Sequence, residues 1–186
     1  MKVINIFGGP GVGKSTLAAF LFSYLKSRKN TSAELITEFA KDLVYEGQLN
    51  TLKIDQLYVF ANQNHRMKMI QDYTPNVDFI ITDSPLLLSN IYGEINDSID
   101  ENFKSFATSI FNSYENINFF ISRRGQFRYE EGGRIQTNEE AENVHNNIKK
   151  YLNDNNIKYH EIEIVHGFMG VIEKLESILK EDANNK

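Results

Sequence analysis

The chain has 186 residues, of which 41% are hydrophobic, so it holds enough apolar material for the core of one ordinary domain and is not expected to be disordered. Its formal net charge of −5 excludes a general electrostatic attraction to nucleic acid or anionic lipid, so any basic site has to be local. It has no cysteine, which excludes disulfides and zinc–cysteine sites, and no apolar run near the roughly 20 residues that cross a membrane, so we expect a cytoplasmic protein with no membrane partner.

The spacing of apolar residues divides the first half of the chain into alternating strands and helices. Apolar runs that end at glycine or polar residues predict strands over 2–7, 33–37 and 78–82. Apolar residues three and four positions apart predict helices from a glycine-rich loop to about residue 28, over about 38–47 and from 52 to about 73.

Two capping boxes mark helix starts in the second half. Ser98 and Thr137 are each followed three residues later by a glutamate, an arrangement in which side chains satisfy the free amides of a helix start. The boxes predict helices over about 99–114 and 137–153.

The remaining apolar segments complete an alternating pattern. They predict strands over 116–122 and 158–164 and a last helix after Gly167. Because strands alternate with helices throughout, the chain is expected to form one three-layer α/β domain, with about five parallel strands and helices on both faces of the sheet.

The segment GGPGVGKST, residues 8–16, contains a complete G-x-x-x-x-G-K-[ST] pattern between a predicted strand and a predicted helix. Glycines let backbone N–H groups turn inward around phosphate oxygens, and the following helix offers the positive end of its dipole. We expect Lys14 to neutralise the β- and γ-phosphates of ATP and Ser15 to bind Mg²⁺. The residues predicted to hold the nucleotide are Gly8, Gly9, Pro10, Gly11, Val12, Gly13, Lys14, Ser15 and Thr16. The pattern leaves open whether the phosphate goes to water or to an acceptor.

Two acidic residues follow predicted strands, at the edge where ligands bind in open α/β sheets. Asp83 is expected to hold Mg²⁺, and Glu38 is placed to accept a proton from an acceptor hydroxyl. Asp83 could instead cap the following helix, and Glu38 could interact with a helix dipole. Ser84 stands where motor ATPases commonly carry a water-activating glutamate, which favours transfer to an acceptor over hydrolysis.

The segment 123–136 is rich in arginine and glycine, and its four arginines against two glutamates give it a net charge of +2. We predict a mobile lid that excludes water, in which Arg124, Arg128 and Arg134 stabilise charge on the transferred phosphoryl group. A solvated surface loop is the alternative.

Gln63 and Arg66 lie three residues apart on the long predicted helix and therefore share a face. They could bind the base or the phosphate of an acceptor, or form a solvated helix face. The four histidines are scattered without the spacing of metal ligands, and we assign them no chemistry.

Five segments occur along the chain in the order GGPGVGKST, ITEFAKDLVYEG, YVFANQNHRM, FIITDSPLL and RYEEGGRIQTNEEA. Together they resemble the small P-loop kinases of the nicotinamide-riboside-kinase-like AAA group, most closely its phage and bacterial nucleotide kinases. The resemblance implies a P-loop kinase fold with the strand order 2-3-1-4-5 and Mg·ATP as phosphate donor. By position, it makes Glu38 and Asp83 the acidic pair near the acceptor and Arg134 the lid arginine.

We therefore predict an ATP- and Mg²⁺-dependent kinase that transfers the γ-phosphate to a hydroxyl or phosphate of a nucleoside- or nucleotide-like small molecule. Because some phage relatives of such kinases phosphorylate hydroxymethylpyrimidine, an acceptor within DNA is a second hypothesis. A P-loop ATPase and a nucleotide-binding switch with a partner protein are further hypotheses. The acceptor and the oligomeric state stay open at this point.

Overall fold

The computed structural model describes residues 1–74, 76–122, 138–164 and 167–184. Five strands within these ranges form one parallel sheet in the order β2-β3-β1-β4-β5. The strands are β1 (Lys2–Phe7), β2 (Ala33–Ile36), β3 (Phe79–Thr82), β4 (Glu115–Ile121) and β5 (His160–Ile162). The predicted fold class, including the strand order, is confirmed.

Eight helices in the described ranges connect and follow the strands. They are α1 (Lys14–Ser27), α2 (Phe39–Tyr45), α3 (Leu49–Ile54), α4 (Gln56–Tyr73), α5 (Leu88–Ile95), α6 (Glu101–Asn112), α7 (Asn138–Asp154) and α8 (Met169–Asn184). Among the helices that the structure describes, none combines the length and the apolar character needed to cross a membrane.

The helices cover both faces of the sheet, as the alternation of side chains along β1 shows. Val3 and Phe7 point to one face and pack with α4, α5, α6 and α7 in one hydrophobic cluster. Ile4 and Ile6 point to the other face and pack with α1 and α8 in a second cluster. Each such buried aliphatic or aromatic side chain contributes about 1.5–3 kcal/mol to folding, so the two clusters hold the three layers together.

The carboxyl ends of the strands meet at one edge of the sheet, because all pairings are parallel. β1 lies between β3 and β4, with Lys2 in register with both Phe79 and Glu115. The phosphate loop after β1, Glu38 after β2 and Asp83 after β3 are therefore brought to the same edge.

The predicted helix over 52–73 is wrong at its beginning, where the structure has two helices. The backbone of Asp55 leaves the helical region, with φ −121° and ψ 68°, and separates α3 from α4. Its side chain accepts a hydrogen bond from the amide of Tyr58 at 2.9 Å and caps α4. Apolar residues continue at helical spacing through this break, so periodicity alone did not reveal it.

The prediction that Ser98 caps a helix is also wrong. α6 begins at Glu101, and its N-cap is Asp100, whose Oδ1 accepts a hydrogen bond from the amide of Phe103 at 2.8 Å. Asp100 directly precedes the first helical residue, and aspartate is as good an N-cap as serine, so it takes the capping position. The bounds of α5 were not predicted, although a helix after Asp83 was implied by the alternative that Asp83 is a cap. Thr137 of the second box lies outside the described residues.

Candidate functional site

A cavity of about 700 Å³ opens at the carboxyl edge of the sheet. The phosphate loop and the start of α1 line it, together with residues of α2, α3, α4 and α5. α7 contributes Glu140, Asn143 and Asn147 to the lining. The cavity is thus large enough for a small ligand and borders the predicted nucleotide site directly.

The phosphate loop has the backbone conformation that its glycines permit. Gly11 and Gly13 have positive φ angles of 83° and 91°, which residues with a Cβ rarely adopt. The loop leads directly into α1, and Lys14, Ser15 and Thr16 of its first turn line the cavity. The amides of this turn have no partner within the helix, so the helix start is suited to an anion.

Lys14 lies between the loop and the acidic side of the cavity. Its Nζ donates a hydrogen bond to the carbonyl oxygen of Gly9 at 3.0 Å. Its charge also acts on the carboxylate of Glu38. The predicted phosphate-binding amine is therefore present at the wall of the cavity.

Glu38 lies between the end of β2 and the start of α2 and is half-buried on the cavity wall. Burial raises the pKa of its carboxyl group, Lys14 opposes that rise, the negative charge of Asp83 adds to it, and Lys41 opposes it. A carboxylate with a raised pKa holds a proton more readily than an ordinary glutamate does. The side chain is thus suited to exchange a proton with a group bound in the cavity.

Asp83 directly follows β3, and its side chain is buried, with 5% of its surface exposed. The next residue, Ser84, lines the cavity. Its Oδ1 has no hydrogen-bond partner among the described residues. A buried carboxylate oxygen without a partner is costly unless a ligand completes its environment. This unsatisfied oxygen fits a Mg²⁺ ion reached through water, with the hydroxyl of Ser15 as a further ligand.

In the part of the chain that the structure describes, no group of three or more histidine, cysteine, aspartate and glutamate side chains could hold a metal ion. Mg²⁺ in nucleotide sites is usually bound in part by the phosphates of the nucleotide.

Gln63 is buried where the ends of β2 and β3 meet α4. Its Oε1 accepts a hydrogen bond from the amide of Phe39 at 3.0 Å, and its Nε2 donates to the carbonyl oxygen of Thr37 and the hydroxyl of Thr82, each at 3.4 Å. The amide group thus holds the residues on both sides of Glu38. Gln63 also lines the cavity, where an acceptor could reach it. Its predicted contact with an acceptor stays a prediction.

Arg66 lies on the same side of α4 but is not among the cavity-lining residues that the structure describes. Its guanidinium donates to the carbonyl oxygen of Thr37 at 3.2 Å, pairs with Asp42 and lies over the ring of Phe39. These contacts support the segment around Glu38. The predicted role of Arg66 in acceptor binding also stays a prediction.

His145 makes a contact with the phosphate loop that sequence reasoning missed. The amide of Gly9 donates a hydrogen bond to its Nδ1 at 3.1 Å, and the side chain is buried. The two residues lie 136 positions apart, and no sequence pattern joins them. The signal that was available is weak: His145 belongs to the apolar face of the helix that the second capping box predicts.

The predicted lid, residues 123–136, lies outside the described residues together with Arg124, Arg128 and Arg134. Their role stays a prediction.

The comparisons with known proteins identify a family and several structural likenesses. A family model described as "AAA domain" matches residues 3–167. No curated protein matches the chain significantly. A structure of deoxyadenosine kinase from M. mycoides, with products dCMP and a flexible dCDP bound, is 18% identical, with a TM-score of 0.59, and the match covers 96% of this chain and 99% of that chain.

Two further structures are similar to the same degree. The M. mycoides deoxyadenosine kinase with bound dATP has 18% identity and a TM-score of 0.58, with 96% and 99% of the two chains covered. Thymidylate kinase from Ehrlichia chaffeensis has 18% identity and a TM-score of 0.56, with 96% and 98% covered. At this identity the likenesses show the fold, which is that of P-loop nucleoside and nucleotide kinases.

Proposed function

The chain belongs to this AAA-domain family, and we propose that it is a kinase that transfers the γ-phosphate of ATP to a nucleoside- or nucleotide-like small molecule. The observation that carries the proposal is one cavity whose wall contains both the phosphate loop and the carboxylate of Glu38. A phosphate loop alone would also serve an ATPase or a switch. A carboxylate beside it serves an acceptor that has to lose a proton.

The donor half of the site is formed by the phosphate loop and the first turn of α1. Loop amides and the helix start bind the phosphate oxygens, and Lys14 moves from the carbonyl oxygen of Gly9 to the β- and γ-phosphates. Ser15 and, through water, Asp83 would hold Mg²⁺, which would supply positive charge to neutralise the phosphates.

The acceptor half of the site faces the loop across the cavity. Its wall combines apolar side chains of α2, α3, α4 and α5, namely Val44, Leu52, Val59 and Tyr92, with polar ones such as Gln56. Such a wall suits the flat, largely apolar faces of a nucleobase. Because Glu38 is placed as a proton acceptor, a hydroxyl group is favoured over a phosphate as the attacking group.

The transfer itself is a displacement at phosphorus. The acceptor oxygen forms a bond to the γ-phosphorus while the bond from that phosphorus to the β–γ bridging oxygen breaks, and ADP leaves. The proton of the hydroxyl group passes to the carboxylate of Glu38. We further propose that Arg124, Arg128 and Arg134 stabilise the charge on the transferred group, as the sequence predicts.

The decisive experiment measures ADP release from Mg·ATP with and without a panel of nucleosides, nucleoside monophosphates, nicotinamide riboside and hydroxymethylpyrimidine-containing DNA. A large stimulation by one member, with a phosphorylated product seen by mass spectrometry, is the expected result. The Lys14→Ala variant controls for contaminating kinases. Steady release that ignores every acceptor would overturn the kinase in favour of an ATPase, and tight binding without release would favour a switch.

A further inference from the structure

The phosphate loop is held against α7 by a buried histidine. The amide of Gly9 donates to Nδ1 of His145 at 3.1 Å, and His145 is 6% exposed. The ring packs on Phe120 of β4, with the ring centroids 4.8 Å apart. Because Nδ1 accepts this bond, the imidazole carries no proton on that nitrogen.

The loop lies so close to α7 that only glycine fits at position 9. A Cβ on Gly9 would lie 2.6 Å from Cβ of His145 and 2.8 Å from the carbonyl oxygen of Ala141. The carbonyl oxygen of the same Gly9 accepts the hydrogen bond from Nζ of Lys14 at 3.0 Å. Gly9 thus links α7, which lies far away in the sequence, to the Nζ amine of Lys14, which is expected to bind phosphate.

We infer that His145 is a positioning residue of the nucleotide site, which holds the backbone of Gly9 so that the loop amides and Lys14 are set for a nucleoside triphosphate. The identity of that ligand rests on the proposed function. A glycine-rich loop loses much conformational entropy when it closes around phosphate, and an anchor that limits its freedom beforehand reduces this cost. Without the imidazole acceptor, the amide of Gly9 stays buried without a partner, or the loop moves away to find one.

Three variants distinguish the effect of the hydrogen-bond acceptor on residue 145 from the effect of ring packing. In His145→Asn, Oδ1 takes the position of Nδ1 and can accept the same hydrogen bond. In His145→Gln, the same amide group lies one carbon further out and misses the amide of Gly9. In His145→Phe, the ring remains on Phe120 but has no acceptor.

The readout is the Kd for Mg·ATP, measured by calorimetry well below the lowest melting temperature of the four proteins. We expect the Gln and Phe variants to bind about tenfold more weakly, the factor that corresponds to the loss of about 1.4 kcal/mol, and the Asn variant to bind within about threefold of the wild type. Equal affinity of all four proteins would overturn the inference. Equal weakening of all three variants would also overturn it, since the position of the acceptor would then not matter.

If the variants do not fold, a measurement on the wild-type protein tests the role of His145. In ¹⁵N NMR spectra, the expected result is an unprotonated Nδ1 on His145 and a coupling across the hydrogen bond to the amide of Gly9. A proton on Nδ1 would overturn the inference. Neither this measurement nor Mg·ATP binding needs an acceptor, so wild-type protein that binds Mg·ATP but phosphorylates nothing would overturn the proposed kinase and leave the test of His145 intact.

Discussion

The carboxylate of Asp83 lies close enough to that of Glu38 for its charge to add to burial in raising the pKa of Glu38. The two residues follow neighbouring strands whose last residues, Ile36 and Thr82, are in register. Each carboxylate nevertheless has different surroundings: Glu38 lines the cavity, and Asp83 is buried beneath it. Carboxylates in different environments can carry out different tasks, and here we assign proton transfer to Glu38 and metal binding to Asp83.

Glu38→Gln is expected to reduce the kcat of transfer by about 100-fold or more and to leave the Kd of Mg·ATP within about threefold of the wild type, because the amide cannot take the proton of the acceptor. Single-turnover transfer and calorimetry measure the two effects. Glu34→Gln is the matched control, since Glu34 lies on β2, just before Glu38 in the chain, and pairs with Lys26 at 3.1 Å. Unchanged transfer in Glu38→Gln would show that the assigned role is wrong.

The raised pKa of Glu38 also predicts how the stability of the fold depends on pH. The folded protein holds the proton of Glu38 more tightly than the unfolded chain does. The contribution of Glu38 to the free energy of unfolding is therefore fully present below the ordinary pKa of a glutamate, about 4.3, and is lost as the pH rises through the raised pKa. Glu38→Gln removes that loss. The melting temperature of the variant relative to the wild type should therefore increase with pH through this window and then level off, and a constant difference would contradict the prediction.

Asp83→Asn tests the metal site. Replacing the buried oxygen that has no partner in the described structure should raise the Mg²⁺ concentration needed for half-maximal transfer by about 10- to 100-fold, while ATP binding without Mg²⁺ changes little. A Mg²⁺ titration of transfer measures this. Asp78→Asn, at the amino end of β3, is the control: Asp78 is exposed and accepts a hydrogen bond from the amide of Ser32 at 2.8 Å, which asparagine can keep. The same Mg²⁺ requirement in both variants would exclude the assigned role.

Gln63→Leu distinguishes two roles of Gln63, support of the segment around Glu38 and direct contact with the acceptor. If its main task is to hold the segment around Glu38, kcat should fall by about tenfold, the KM for the acceptor should stay nearly constant, and the fold should lose about 1–3 kcal/mol. Steady-state kinetics and denaturant unfolding measure these effects. A higher KM with unchanged stability would instead support direct contact with the acceptor. Gln71→Leu on the same helix, where Gln71 is exposed and accepts from Lys68, is the matched control.

The parts of the site that could be predicted from the sequence are those that a local pattern describes. The phosphate loop combines its glycines, Lys14 and Ser15 within nine residues, and Glu38 and Asp83 each follow an apolar run that identifies the end of a strand. The carboxyl ends of parallel strands share an edge, so placing both acids beside the loop required only the fold class.

The parts that could not be predicted depend on contacts between distant residues. The bond from Gly9 to His145 joins the phosphate loop to α7, and the side-chain amide of Gln63 in α4 holds the segment that follows β2. Neither contact leaves a spacing in the sequence. The break at Asp55 was missed for a different reason: a side-chain cap there competes with a helical pattern that continues on both sides.

Gly9→Ala should destabilise the protein and weaken Mg·ATP binding, because the added Cβ would lie 2.8 Å from the carbonyl oxygen of Ala141, and the backbone of α7 cannot yield as a flexible side chain could. Overpacking of this kind costs about 1–3 kcal/mol. Chemical unfolding and calorimetry measure the two effects. Gly170→Ala is the matched control, since a Cβ at this exposed position of α8 meets nothing within 4 Å among the described residues. Alanine there should leave the stability unchanged or raise it by up to about 1 kcal/mol. If Gly9→Ala were as stable as the wild type and bound Mg·ATP as tightly, α7 would be free to move away from the loop, and the close contact between them would not be needed for nucleotide binding.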